Sequence, residues 1–157
     1  MKRGKMEITR LDKLNFDKTK DSIKELIREA MSISFPEFII KEEYYEEKIS
    51  KLGEYISDGS AIVFTAIKDN DVLGWIWCHS IDRFDKKRLH VASFAVSKKM
   101  RNQGLGLLLM DEAERYAKKH NYDGMDLFVT ENNVPAVNFY QKNGYQVERY
   151  LLKKDIR

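Results

Sequence analysis

The sequence predicts an α/β protein of the α+β kind: a mixed, largely antiparallel sheet flanked by helices, folded as one domain over residues 1–157. Three observations predict it. β-favouring segments and helical periodicities alternate in the order β-α-α-β-β-β-α-β-α-β. The apolar runs at 61–67 and 72–81 are separated only by Lys68-Asp69-Asn70-Asp71, a hairpin turn, so the earlier strands pair antiparallel. Further on, a strand, a glycine-bearing turn, an amphipathic helix and another strand make a βαβ crossover.

Each element has a local reason. Residues 6–11 alternate as a short strand. Residues 17–33 place Ile23, Leu26, Ile27, Ala30 and Met31 on one helical face, and Phe35-Pro36 interrupts the chain after them. Residues 42–56 read as a second helix, polar on most sides. The hairpin of 61–81 follows, then a charged loop expected over 82–88. Leu89-His90-Val91-Ala92-Ser93-Phe94-Ala95-Val96 is strand-like, and Leu105, Leu108, Leu109, Ala113, Tyr116 and Ala117 recur at helical spacing to about His120. A strand is expected over 125–130 and a short helix over 135–142, with Pro135 in its first turn and Gly144 just past its end. Residues 145–153 are expected to close the sheet as a last strand.

Bulk composition narrows the function classes. A chain of 157 residues, 43% hydrophobic and 34% charged, has the make-up of a globular domain with a single core. A net charge of +3 gives no reason to expect nucleic acid as a partner. No apolar run approaches membrane-spanning length, so no membrane partner is expected. The basic start Met1-Lys2-Arg3-Gly4-Lys5 is not followed by an apolar signal core. The lone Cys78 suits a reducing compartment, and a cytoplasmic location is expected. A homodimer is left open.

The segment Arg101-Asn102-Gln103-Gly104-Leu105-Gly106 joins strand to helix. Glycine lets a ligand approach the backbone with no Cβ in the way. The first turn of a helix offers unpaired N–H groups and the positive end of its dipole, so such a junction can cradle a pyrophosphate. A dinucleotide fingerprint would need a third glycine where Leu109 stands, and the P-loop pattern is absent. The remaining R-x-x-G-x-G resembles the coenzyme A pyrophosphate loop of the GNAT superfamily, the acetyl-CoA-dependent N-acetyltransferases. The run from Asn133 through Pro135, Ala136, Phe139 and Tyr140 to Gly144-Tyr145 is similar to the other hallmark of that superfamily, N-x-x-A-x-x-[LF]-Y-x-x-x-G-[FY]. The resemblance covers roughly residues 72–153, and the first half shares only the order of elements.

The resemblance implies a GNAT-type acyl-CoA N-acyltransferase fold in which the strands equivalent to 89–96 and 125–130 splay apart. The pantetheine arm of the cosubstrate, acetyl-CoA, lies in that gap. Backbone groups of Asn102, Gln103, Gly104, Leu105 and Gly106, with the charge of Arg101, would hold the pyrophosphate. Lys98 and Lys99 lie beside them, either as solvated turn residues or near the adenosine 3′-phosphate. Backbone groups of Phe94, Ala95 and Val96 would pair with the pantetheine arm as an added strand does. Asn133 would touch the arm or cap its helix.

Tyr140 is the catalytic acid the resemblance implies, a phenol placed to protonate the departing thiolate. Some relatives hold a glutamate base six residues before the position of Val96; this chain has His90 there. An imidazole suits base chemistry near neutral pH, and water is the alternative. Alternation puts His90, Ala92, Phe94 and Val96 on one strand face. His79, Asp82 and Glu131 are weaker candidates. Cys78 reads as a packed residue, not a nucleophile. No metal is expected.

The expected partners are a coenzyme A thioester and an amine acceptor. The helix at 42–56 and its flanks are rich in Glu37, Glu42, Glu43, Glu46, Glu47, Glu54 and Asp58, interleaved with Tyr44, Tyr45 and Tyr55. Such walls would suit a cationic small molecule such as a polyamine, and they also suit an ordinary solvated helix face. Protein lysine or N-terminal acetylation is an alternative, as is a non-catalytic acyl-CoA-binding regulatory module; the phenol at Tyr140 favours an enzyme.

Overall fold

The computed structural model describes residues 6–157; the basic start at 1–5 lies outside the described residues. The chain forms a mixed α/β fold, a five-stranded, mostly antiparallel sheet in the order β1-β2-β3-β4-β5. Its elements are β1 (Glu7–Arg10), α1 (Lys13–Ser34), α2 (Glu42–Asp58), β2 (Ile62–Lys68), β3 (Asp71–Arg83), β4 (Lys86–Val96), α3 (Leu105–Lys119), β5 (Gly124–Leu127) and α4 (Val134–Lys142). Among the described residues, no helix is long and apolar enough to cross a membrane.

Two cores cover the two faces of the sheet. Phe16, Ile23, Leu26 and Ile27 of α1 and Tyr45, Ile49 and Leu52 of α2 pack on Val63, Trp75 and Trp77. On the other face Leu105, Leu109, Met110 and Ala113 of α3 pack on Phe64, Ile76, Cys78, Leu89 and Val91. Helix α1 begins four residues before the apolar periodicity suggests, because the Asp12 side chain caps it by accepting from the Asn15 N–H at 2.8 Å. The β2–β3 turn is as expected: Asp69 and Asn70 both take positive φ, 53° and 67°, the pair of left-handed residues that suits strand twist in a tight hairpin.

Four expectations need correction. The charged loop over 82–88 is instead a second hairpin. β3 runs to Arg83, β4 starts at Lys86, and Asp82 pairs with Lys87, since charged residues are accommodated where strands project past the core. The strand at 125–130 stops at Leu127; Phe128 and Val129 are exposed, so nothing packs the next residues into the sheet.

The final strand over 145–153 does not form. Tyr145 is anchored by its hydroxyl, which donates to the Met110 sulfur at 3.2 Å, but Tyr150, Leu151 and Leu152 are exposed. Alternating β-favouring residues report fit to a pleated surface and do not supply a partner strand. Last, His90 does not share a face with Phe94 and Val96. The β3–β4 register jumps between Trp77↔Ser93 and Cys78↔Val91, leaving Ala92 as a bulge. One extra residue inverts the alternation. Phe94 and Val96 join Leu89 and Val91 on the α3 side, whereas His90 and Ala95 lie on the side of α1 and α2.

Candidate active site

The sheet opens where β4 leaves β5. The two strands pair in parallel only from Arg88↔Gly124 to Val91↔Leu127, while β4 continues to Val96. The bulge at Ala92 falls at this divergence; a bulge bends its strand and increases local twist. Beyond it Phe94, Ala95 and Val96 remain paired to Ile76, Trp75 and Gly74 of β3, so only the edge facing away from β3 is open. An open strand edge can receive an extended ligand through main-chain hydrogen bonds.

The glycine loop lies at the far end of that edge. A single 3-10 turn, Lys98–Met100, leads into Asn102 at φ 59° and Gly104 at φ 80°. Gly104 is the residue before α3, and no side chain caps the helix there. The first N–H groups of α3 therefore point outward with the helix dipole behind them. Nothing lies within 4 Å of the place a Cβ would occupy on Gly104, so what excludes other residues is the left-handed backbone.

Gly106 has a different reason. A Cβ there would approach the Phe94 ring to 3.3 Å and the Phe139 ring to 3.6 Å, so its small size lets α3, β4 and α4 converge. Leu105 is buried and anchors the turn in the core. Arg101 folds back: its Nε donates to the Val96 carbonyl at 3.2 Å, and Nη2 is 3.6 Å from Glu29 of α1. The Gln103 amide donates to the Lys99 carbonyl at 2.9 Å and steadies the loop.

Helix α4 borders the opening. The Asn133 side chain caps it, accepting from the Ala136 N–H at 3.4 Å, and its amide reaches the Ser34 hydroxyl at the end of α1 at 3.5 Å. The capping expectation for Asn133 therefore holds. Tyr140 packs with Phe94, Phe139 and Tyr145, ring centroids 6.2, 5.5 and 5.7 Å away. Burial pushes its phenol above the ordinary tyrosine value, so the hydroxyl is protonated near neutral pH and holds its proton more tightly than an exposed tyrosine does.

His90 lies at the closed end, one pair before the strands part. Its Nδ1 is 2.6 Å from Oδ1 of Asp126, its neighbour across the β4–β5 ladder. Arg83 and Arg88 bond the other oxygen of Asp126. Burial opposes ionisation of Asp126, but the hydrogen bonds from Arg83 and His90 outweigh it and hold the carboxyl below the usual carboxylate range. The His79 ring is 5.1 Å from that of His90, and the Phe128 ring stands edge-on to it at 5.4 Å.

Asp126 escaped the sequence reading. Its only signal is an acid at the centre of an otherwise apolar strand segment, a placement that asks for a partner. Glu131 is exposed in the loop before α4. Cys78 is fully buried and its thiol is pushed up to about 12 by burial, the state of a packed residue.

Much of the acidity of α2 is already matched. Glu42 bonds Arg28 and Lys24, Glu46 bonds Lys24, and Glu47 bonds Lys51. The Arg28 guanidinium, then the Lys24 ammonium, holds the Glu42 carboxyl below its ordinary value.

The pattern of the acetyltransferase (GNAT) family matches residues 22–145. An uncharacterized N-acetyltransferase of Bacillus subtilis, YdgE, is 26% identical over 84 residues, 54% of each chain. The chain spans about half the length of the curated relatives it matches. A structure from Pyrococcus furiosus, provisionally assigned as an acetyl transferase, is 32% identical; the alignment covers 96% of this chain and all of that one, with a TM-score of 0.73. A predicted acetyltransferase of Clostridium acetobutylicum, solved with acetyl-CoA, shares the fold at 14% identity and a TM-score of 0.73, with 97% of each chain covered. A family match running from within α1 to Tyr145 takes in the whole of the opening and the elements around it, and on that ground the chain belongs to the acetyltransferase (GNAT) family of acyltransferases.

Proposed function

We propose that the protein is an N-acetyltransferase that passes the acetyl group of acetyl-CoA directly to a primary amine. The observation that carries this reading is the divergence of β4 from β5 after Val91 and Leu127, with the uncapped start of α3 at one end of the opening and His90 at the other. N–H groups of Asn102, Gln103, Gly104, Leu105 and Gly106 would receive the pyrophosphate, and Arg101 would turn from Val96 and Glu29 to add its charge. The open edge at Phe94, Ala95 and Val96 would hold the pantetheine amides, with Asn133 bordering the arm from α4. When bound, the thioester supplies an activated acetyl group. The chain supplies the proton traffic: His90 takes the proton of the acceptor ammonium, and Tyr140 gives its own to the departing sulfur. The acetyl-CoA complex of the similar Clostridium acetobutylicum protein supports this choice of cosubstrate.

The acceptor is proposed only as a primary amine. A polyamine is the first cationic candidate, although the pairing of Glu42, Glu46 and Glu47 leaves less free negative charge than the sequence suggests. The single buried thiol, Cys78, suits a reducing compartment, and the proposal places the enzyme in the cytoplasm. The test is release of free coenzyme A thiol from acetyl-CoA in the presence of polyamines, aminoglycosides, amino acids or peptides. Amine-dependent release supports an enzyme. Tight acetyl-CoA binding with no release against the whole panel refutes it in favour of a regulatory module.

A further inference from the structure

The two nitrogens of His90 are in unlike surroundings. Nδ1 faces Oδ1 of Asp126 at 2.6 Å. Nε2 makes no hydrogen bond among the described residues. The only buried side-chain polar atoms without a partner there are the indole nitrogens of Trp75 and Trp77, so Nε2 is not sealed from solvent. An ionised carboxylate only accepts hydrogen bonds. Asp126 is held in that form by its surroundings. The proton on neutral His90 must therefore be on Nδ1, and the lone pair must be on Nε2.

We propose that Asp126 is a positioning residue: it fixes His90 in the tautomer whose Nε2 can accept a proton, and Arg83 and Arg88 hold Asp126 in place to do so. The proposal rests on the reading of His90 as the base. In the step, the N–H bond of the acceptor ammonium breaks and its electron pair stays on nitrogen. The proton bonds to Nε2, and the resulting imidazolium faces the carboxylate of Asp126.

Around the pair stand His79 and Arg83 from β3, Arg88 from β4, Phe128 after β5, and Glu148, which bonds Arg88 from the C-terminal segment. Both arginines are pure donors, and they decide what a neutral replacement would do. In Asp126→Asn the arginines claim the amide oxygen. The amide NH2 then faces His90 and donates to Nδ1. The imidazole is forced into the opposite tautomer, with its proton on Nε2 and no lone pair toward the acceptor.

Nitrogen-15 spectra of the imidazole rings, assigned to His90 with His90→Gln, test this with no need of activity. The parent protein should show a protonated Nδ1 and an unprotonated Nε2 in the neutral ring, and Asp126→Asn the reverse. In thiol release, Asp126→Asn should lower kcat by about 10²–10⁴, the usual worth of a general base, with acetyl-CoA affinity unchanged. Asp126→Glu, which still accepts on both sides, should recover part of the loss. The double variant with His90→Gln should be no slower than His90→Gln alone.

A parent spectrum with the proton on Nε2 overturns the proposal even if Asp126→Asn fails to fold. So does a tautomer switch in Asp126→Asn with kcat intact. If the parent shows the expected tautomer but releases no thiol with any amine, the acetyltransferase reading fails, and with it the catalytic half of this inference. The hydrogen-bonded pair itself then stands.

Discussion

Replacing Gly104 by alanine isolates one backbone conformation. Gly104 takes φ 80° and nothing lies within 4 Å of the position a Cβ would fill, so the substitution adds no clash. What it adds is the cost of a left-handed residue with a side chain, about 1–2 kcal/mol. That cost can surface in two places. If the loop keeps its shape without ligand, the folded state loses the full amount. For a domain of this size each kcal/mol is worth about 2–4 °C in Tm, so the midpoint should drop by roughly 2–8 °C.

If the free loop instead relaxes to negative φ, stability is spared. Acetyl-CoA must then restore the strained turn, and its Kd should weaken by about 5–30-fold, since 1.4 kcal/mol is a factor of ten. The stability loss and the binding loss should together total about 1–2 kcal/mol. Differential scanning calorimetry and titration calorimetry on one preparation read both. Gly104→Asn, whose side chain tolerates the left-handed region, should restore most of either loss. A Gly104→Ala protein with unchanged Tm and unchanged Kd would refute the argument that this turn is required.

Three further outcomes are expected. Tyr140→Phe keeps the ring packed on Phe94 and removes only the hydroxyl, so kcat in thiol release should fall by about 10²–10⁴ while acetyl-CoA affinity holds; near-parental kcat would mean that water protonates the sulfur. Cys78 should resist iodoacetamide in the folded protein at pH 8 and react on unfolding, because its thiol is buried and pushed up to about 12; rapid labelling of the native protein would contradict the packing. The carboxyl of Asp126 is held below its unfolded value, so it contributes stability that is complete above the ordinary carboxylate pKa of about 4 and is lost as pH falls through the lower folded value. Asp126→Asn should therefore lose less stability than the parent across that acid range in urea titrations; parallel curves would dissociate the carboxylate from acid unfolding.

Much of this protein is legible before any coordinates. Two glycines between an apolar strand and an apolar helix located the loop, and Asn133, Tyr140 and Gly144 located α4, because turn and cap chemistry is written in single residues. Features that depend on pairing are not written there. The bulge at Ala92 leaves no mark in a run of β-favouring residues, yet it turns His90 to the opposite face from Phe94. Asp126 gains meaning only when β5 sets it beside His90, 36 positions away in sequence. Residues 145–153 have the alternation of a strand and remain irregular, because no partner strand among the described residues receives them.

The ladder between β4 and β5 is only four residues long. Helix α4, which follows it, has no fully buried residue and is joined to the body through the ring cluster of Phe94, Phe139, Tyr140 and Tyr145. So little burial makes β5 and α4 a separate cooperative unit that opens at lower free energy than the β2–β3–β4 sheet. Amide deuterium exchange should therefore be layered, fast in Gly124–Leu127 and Val134–Lys142 and slow in Val63, Trp75 and Ile76. A ligand lying in the opening would touch the lips of both units. Its binding would rivet the weak unit to the strong one, so a molecule held at one edge of the sheet would slow exchange throughout β5 and α4.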